Sequence, residues 1–376
     1  MNVFHVNSNY LTSKLHENLI DKLESKKLHN TIYMPMKKEK RNEFLFESKH
    51  DLHTPIAFNH VDRYVFHYKQ KKIRENLKEL FNPNNFDVVH AHTLFTDGYV
   101  AYRLKEKYNI PYIVTVRGGT DIHVFFKRMF HLRNTGKKIL KNADQIIFLS
   151  EVTRTKLVDE FIKNRELKQN ILGKSQIIPN GIDDFWFKNA GKQKKIENTQ
   201  KLKIISVGKK LKKKNFIGTI QALNYLKNEY NIESYLEAIG KTYEESYIKQ
   251  MHLDAEIPVE NISAISREEL IGHYRENDIF VLPSFSETFG LVYPEAMSQG
   301  LPVIYSANEG FHKQFAEGEI GYAVNPNDPE DIANKILLIL KNYESISENT
   351  LQAYKKFNWE NLANRYVSIY NHVKRN

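Results

Sequence analysis

Pro283-Ser284-Phe285-Ser286-Glu287-Thr288-Phe289-Gly290-Leu291-Val292-Tyr293-Pro294-Glu295-Ala296-Met297-Ser298-Gln299-Gly300-Leu301-Pro302-Val303 is the stretch on which the reading of this chain turns. The apolar run Ile279 to Leu282 leads into it and Pro302 to Tyr305 leads out, so the unit reads strand, loop, helix, strand. Pro294 suits the first turn of a helix, where a missing N–H is no loss, and the amides of Phe289, Gly290, Leu291 and Val292 are left free at the helix start. Free amides and the helix dipole attract anions, phosphate foremost. Glu287 stands at the C-terminal end of a strand, where parallel α/β sheets bind ligands, and Glu295 about one turn into the helix. Two acceptors flanking a phosphate site suit the hydroxyls of a sugar and a ribose. Surface glutamates on a helix-strand connection would share the spacing, but Gly290, Pro294, Gly300 and Pro302 around them speak for a built loop.

Glu287-Thr288-Phe289-Gly290-Leu291-Val292, Pro294-Glu295-Ala296-Met297 and Gly300-Leu301-Pro302-Val303 fall in the order of a known signature. The segment resembles that of the retaining GT-B glycosyltransferases of family 4, a glutamate, seven residues and a second glutamate. The resemblance implies an α/β GT-B fold, two Rossmann-like domains facing a central cleft. It assigns the donor sugar to Glu287, as a catalytic residue, the diphosphate to the amides of Phe289, Gly290, Leu291 and Val292, and the ribose to Glu295. It also implies transfer of a hexose-type residue from a UDP- or GDP-sugar to an acceptor hydroxyl with retained configuration, in cell-surface polysaccharide or glycolipid assembly.

Other segments agree with that resemblance. Val207-Gly208-Lys209-Lys210-Leu211-Lys212-Lys213-Lys214 follows a strand and opens a helix, with Lys209 and Lys214 where the family carries an Arg and a Lys for the diphosphate. Cations there would neutralise the leaving group as its charge develops. Gly208 belongs to the same donor loop, and Ile265, before Ser266 and Arg267, falls where the family places its base pocket. Both segments also read as ordinary turns. Val116-Arg117-Gly118-Gly119-Thr120-Asp121 is similar to a His-Gly-x-Asp loop near the donor sugar, with Arg117 in place of the histidine. Arginine cannot act as a base but holds a phosphate or sugar hydroxyl, or pairs with a neighbouring carboxylate. Asn7-Ser8-Asn9-Tyr10 replaces a glycine-rich turn; Ser8 and Asn9 are acceptor candidates, or simply a turn. His90 and His92 are expected on opposite faces of their strand, with His92, nearer its end, toward the acceptor, or as a satisfied core histidine. Asp97 reads as an acceptor contact or, the favoured reading, as the cap of the helix from Gly98 onward.

With 376 residues and 41% hydrophobic content the chain has room for two full domains. The expected division is 1–185 for the acceptor domain, 186–355 for the donor domain and 356–376 for a helix crossing back, with the linker in the polar stretch Lys188 to Lys201. Strands are expected at Val3 to Val6, Thr31 to Met34, Val88 to Ala91, Tyr112 to Val116, Gln145 to Leu149 and Gln176 to Ile178, then at Ile204 to Val207, Tyr235 to Ile239, Ile262 to Ile265, Ile279 to Leu282, Val303 to Tyr305 and Tyr322 to Val324. There are no cysteines, so no disulfide framework and no thiolate site. No Asp-x-Asp pair ends an apolar strand, so neither a metal nor a cofactor is expected, the nucleotide sugar being the co-substrate.

A net charge of +10 seeks something acidic: phosphorylated substrate, anionic lipid or nucleic acid. Basic residues interleave with apolar ones along Phe66 to Phe81, where Phe66, Ile73, Leu77 and Leu80 could share one face, and along Phe125 to Lys141. Each reads as a solvated helix or as a surface for an anionic membrane carrying a lipid-linked acceptor; a saccharide acceptor is the other option. No run approaches the ~18 apolar residues of a membrane span, and Met1 to Asn9 lacks the marks of a secretory signal. A cytoplasmic enzyme, peripheral at the inner membrane face, is expected. The rivals are a GT-B sugar-nucleotide epimerase, which needs an acid-base set the glutamate loop does not supply, and a nucleic-acid-binding protein, for which no basic, aromatic-studded strand surface is present.

Overall fold

The computed structural model describes residues 1–38 and 46–374. They divide into two compact units, Met1–Gly181 together with Trp359–Asn376, and Ile182–Asn358.

In the first unit a parallel sheet runs in the order β4-β2-β1-β6-β7-β8-β9, made of β1 (Asn2–Val6), β2 (His29–Tyr33), β4 (Asp51–His53), β6 (Val88–Ala91), β7 (Tyr112–Val116), β8 (Gln145–Phe148) and β9 (Ser175–Ile177). The short strands β3 (Met36–Lys37) and β5 (Ile56–Phe58) pair separately. The central strands are apolar on both faces because helices cover both, as parallel sheets require. One core layer gathers Phe4, Phe95, Val114, Phe126 and Ile139. The other gathers Val3, Leu19, Leu23 and Ile147 with Trp359, Tyr366 and Tyr370 of the final helix, Trp359–Val373. Gly181 lies against Trp359, and a Cβ there would come within 2.6 Å of the indole.

The second unit repeats the plan in the order β12-β11-β10-β13-β14-β15, with β10 (Lys201–Val207), β11 (Glu233–Ile239), β12 (Val259–Ile262), β13 (Ile279–Leu282), β14 (Val303–Ser306) and β15 (Gly321–Val324). All its pairs are parallel. Strand order reverses direction between β10 and β13, so their C-terminal ends open the crevice where doubly wound sheets take ligands. The Lys209 loop leaves one of these ends and the Glu287 loop the other. In the first unit the same reversal falls between β1 and β6, beneath Ser8 and His92.

Several sequence expectations need correction. The polar stretch Lys188 to Lys201 is no free linker: the Gly191 N–H donates to Ser298 O at 2.8 Å and Lys194 N–H to Ser347 Oγ at 2.8 Å, all inside the second unit. Lys194 Nζ also donates to the Arg275 carbonyl at 2.9 Å, closing the end of the helix Arg267–Glu276. The strand expected at Ile262 to Ile265 lies at Val259–Ile262, because it is a half-exposed edge strand whose polar alternation hides it from a search for apolar runs. Phe125 to Lys141 is not one helix but a π-helical turn ending at Phe126, a 3-10 turn Phe130–Leu132 and the helix Arg133–Asn142. In the helix Phe66–Leu80 the buried stripe is Phe66, Gln70, Ile73 and Leu77, while Leu80 is exposed.

Candidate active site

The glutamate loop of the second unit is held in shape from several sides. Its Ser284 carbonyl accepts from Ser306 Oγ at 2.6 Å, and the Tyr293 hydroxyl donates to Leu282 O at 2.8 Å. Gly290 has φ +84°, and a Cβ there would lie 2.3 Å from the Tyr293 ring, so only glycine fits this bend. Gly310 lets a neighbouring loop approach Thr288 O, and its N–H donates to Glu287 O at 3.1 Å. The helix that follows, Val292–Met297, is a turn and a half long, with Pro294 and Glu295 in its first turn. The amides of Phe289, Gly290 and Leu291 make no hydrogen bond among the described residues. Three unpaired donors in succession, ahead of a helix start, form a cradle for an anion.

The lysine loop abuts this cradle. Phe285 N–H donates to Lys213 O at 2.9 Å, and Asn215 Nδ2 donates to Pro283 O at 3.0 Å and to Pro326 O at 2.7 Å. Asn215 adopts φ +57° and its Oδ1 caps the next helix at Gly218 N–H, so one side chain fixes both loops. Lys214, half-buried, ion-pairs with Glu287. A Cβ on Gly208 would find its nearest neighbours in the methylenes of Lys214, at an ordinary 3.8 Å, so this position is not crowded. Lys209 is exposed, its ammonium 5.4 Å from the Tyr243 ring centre. Lys210 is buried and donates to Asn261 Oδ1 and the Ile262 carbonyl, and burial lowers its ammonium to about 8. It braces the strands rather than facing the loop, a distinction invisible in a run of lysines.

Glu295 is half-buried and its carboxylate has no hydrogen-bond or ion-pair partner among the described residues. Burial, with a smaller like-charge push from Asp183, raises this carboxyl to about 7. Arg267 pairs with Asp183 at 2.7 Å and lies 4.8 Å from the Phe185 ring centre. Ile265, half-buried, precedes the Ser266 cap of the Arg267 helix. An unpaired, partly desolvated carboxylate beside an anion cradle is a strong acceptor for hydroxyls.

In the first unit four imidazoles cluster at the sheet reversal. His90 and His92, two apart, share a face and stack at 4.1 Å, which overturns the expectation of opposite faces; residues i and i+2 of a strand point the same way. His5 Nε2 meets Asn30 Oδ1 at 2.9 Å and must donate, since that atom only accepts, so His5 Nδ1 accepts from His92 Nε2 at 3.0 Å. His92 is then left with Nδ1 as a lone-pair nitrogen, for which no partner exists among the described residues. His90 bonds Tyr370 Oη at 2.7 Å and Thr115 Oγ1 at 2.9 Å. His16 packs edge-on to His92 at 5.1 Å. Burial holds all four well below the usual imidazole range, His5 at about 4.

His5, His90 and His92 are the one group of potential metal ligands among the described residues. They do not fit a metal as they stand: both His90 nitrogens already have partners, and His5 and His92 bond each other. Arg117 Nε donates to His92 O at 2.9 Å and the Arg117 N–H to Asp121 Oδ2 at 2.9 Å. Its side chain pairs with no carboxylate among the described residues, leaving the outer guanidinium nitrogens for a ligand. Asp97 does not cap its helix, Thr96–Tyr108; it sits within the first turn and accepts from Ser8 N–H at 3.1 Å, from Ser8 Oγ at 2.5 Å and from Thr93 Oγ1 at 2.9 Å. The Ser8 hydroxyl is therefore occupied, and exposed Asn9 is the freer of the two acceptor candidates.

Two family models match in tandem: Glycosyltransferase Family 4 over residues 17–184 and Glycosyl transferases group 1 over residues 187–356. An uncharacterized glycosyltransferase of Methanocaldococcus jannaschii is 27% identical over 359 residues, 94% of this chain and 92% of that protein. A D-inositol 3-phosphate glycosyltransferase of Corynebacterium glutamicum is 36% identical over 106 residues, 27% of this chain and 25% of its own. Among solved structures, sucrose-phosphate synthase from Thermosynechococcus elongatus superposes with TM-score 0.76 at 20% identity, over 99% of this chain and 98% of that one. The Anabaena protein HepE in complex with UDP and glucose gives 0.68 at 16% identity, over 99% and 100%. Strand order, tandem family matches and the near full-length relative agree, and the chain belongs to the GT-B glycosyltransferases of family 4.

Proposed function

We propose that this glycosyltransferase moves a hexose-type residue from a UDP- or GDP-sugar to an acceptor hydroxyl, with retention and without a metal, in the assembly of a surface polysaccharide or glycolipid. The observation that carries this reading is the cradle of unbonded amides at Phe289, Gly290 and Leu291 between two carboxylates and Lys214. The amides take the diphosphate, and Lys214 turns from Glu287 to the leaving phosphate as its charge grows. Glu287, released, orients the sugar. Glu295 accepts the ribose hydroxyls. On the acceptor side, His92 Nδ1 receives a hydrogen bond from the attacking hydroxyl and Arg117 holds a phosphate or hydroxyl. An imidazole held this far below its usual range orients the acceptor, whose proton passes to the oxygen of the departing diphosphate as the new glycosidic bond forms and the sugar–phosphate bond breaks.

The test is a panel of nucleotide sugars, read by thermal stabilisation and by release of nucleoside diphosphate. One UDP- or GDP-sugar should stabilise the protein and be turned over in the presence of a chelator. Product NMR should show the donor's anomeric configuration. Stabilisation by none of the panel would overturn the reading, and inversion or chelator sensitivity would overturn those parts of it.

A further inference from the structure

The surface that opens the helix Phe66–Leu80 is unlike a solvated helix start. Val61, Tyr64, Val65 and Tyr68 are 68%, 76%, 58% and 51% exposed, four large apolar side chains within eight residues. Exposed apolar groups in such density mark an interaction site. From Asn59 to Arg74 the sole acid is Asp62, and it is buried, accepting from the Asn59 N–H and pairing with Lys72 at 2.8 Å. Arg63 pairs with no carboxylate among the described residues, and Lys71 meets only the exposed Glu75 one turn on, at a loose 3.8 Å, so cations remain in excess on this face. A second segment adjoins it: Phe66 packs against Phe125 at 5.9 Å, and beyond Phe125 come exposed Lys127 and Arg128 and then Phe130, 71% exposed.

We propose that this face docks on an anionic lipid bilayer. The valines, tyrosines and Phe130 enter the boundary between headgroups and acyl chains, tyrosine keeping its hydroxyl at the wet level, while Arg63, Lys71, Lys127 and Arg128 meet lipid phosphates. Charge selects this occupant. A second copy of the chain would bring the same cations against themselves, and a nucleic acid would leave Val61 and Val65 against a charged backbone. No described helix is long and apolar enough to cross a membrane, so attachment is lateral.

The experiment is co-sedimentation of the full chain with vesicles of phosphatidylcholine alone and with phosphatidylglycerol added, at low and high salt. Binding is expected on the anionic vesicles, falling as salt rises. Each cation near such a surface contributes about fivefold, so the double variant Arg63→Ala/Lys71→Ala should bind about 25-fold more weakly. Tyr64→Ser/Val65→Ser should weaken binding while keeping the salt dependence. All four side chains are exposed, and the melting temperature of both variants should match the parent. Absence of vesicle binding at low salt overturns the proposal, as does binding that neither variant changes. Self-association lost in Tyr64→Ser/Val65→Ser without vesicle binding would assign the face to a second copy, and RNA binding lost in Arg63→Ala/Lys71→Ala would assign it to nucleic acid. The readout is lipid, so the outcome leaves the transferase reading standing or falling by itself.

Discussion

Glu295→Gln should make the protein more stable and the enzyme worse, in a pH-dependent way. The carboxyl of Glu295 rises from 4.5 to about 7 through burial and Asp183. Such a change corresponds to about 3 kcal/mol against the ionised form, an upper value because the group keeps some exposure. Between pH 4.5 and about 7 the folded protein holds a proton that the unfolded chain has lost, so this group makes stability fall as pH rises, and above that window the cost is complete. Glutamine carries no such cost. Parent and variant should therefore have similar urea midpoints below the window, while the variant gains about 3 kcal/mol at pH 8, or roughly 6–12 °C in a unit of this size. If Glu295 accepts the ribose hydroxyls as proposed, the same change removes a charged acceptor, and nucleoside diphosphate affinity at pH 8 should drop about 10- to 100-fold. Urea titration at the two pH values and calorimetric titration with UDP and GDP read both effects. Equal stability of parent and variant at pH 8 would refute an unpaired, partly buried carboxylate.

Gly290→Ala must either move the Tyr293 ring or flatten the bend, so donor-dependent thermal stabilisation should be largely lost while the secondary structure seen by circular dichroism persists. Asn215→Ala removes a cap and two bonds that join the loops, and should cost about 2 kcal/mol in urea unfolding. The lowered imidazoles of His5, His16, His90 and His92 give the opposite pH sign to Glu295. Below 6.5 the unfolded chain binds protons that the buried rings refuse, so each contributes a loss of up to ~1.4 kcal/mol per pH unit as pH falls. Urea midpoints at successive pH values should show this fall, reduced in a His90→Gln variant; a flat profile would contradict a neutral, buried cluster.

The glutamate loop was legible because its geometry is local. Gly290, Pro294 and the two glutamates lie within one strand-loop-helix, and their backbone demands can be read from spacing alone. The alternation of apolar runs and helical patterns likewise located most strands, since central parallel strands are apolar on both faces. Edge strands carry no such mark, which is why Val259–Ile262 was displaced and Asp51–His53 missed. What stayed hidden depends on long-range contacts. Nothing in a row of lysines distinguishes Lys210, buried against Asn261, from Lys214, which reaches Glu287. The unpaired state of Arg117 and the relay from Asn30 through His5 to His92 join strands distant in the chain. The exposed stripe of Val61, Tyr64, Val65 and Tyr68 begins in a 3-10 turn, so a search at α-helical spacing passes it by and takes Leu80 for the core.

The most direct test of the account is calorimetric titration of the parent, Glu287→Ala and Glu295→Ala with the preferred nucleotide sugar and with its nucleoside diphosphate. Glu295→Ala should lose both ligands. Glu287→Ala should keep or gain the nucleoside diphosphate, because Lys214 is released, yet lose the added affinity for the sugar and at least about 100-fold in turnover. Unchanged affinity and turnover in both variants would contradict the assignment of the glutamate loop as the donor site.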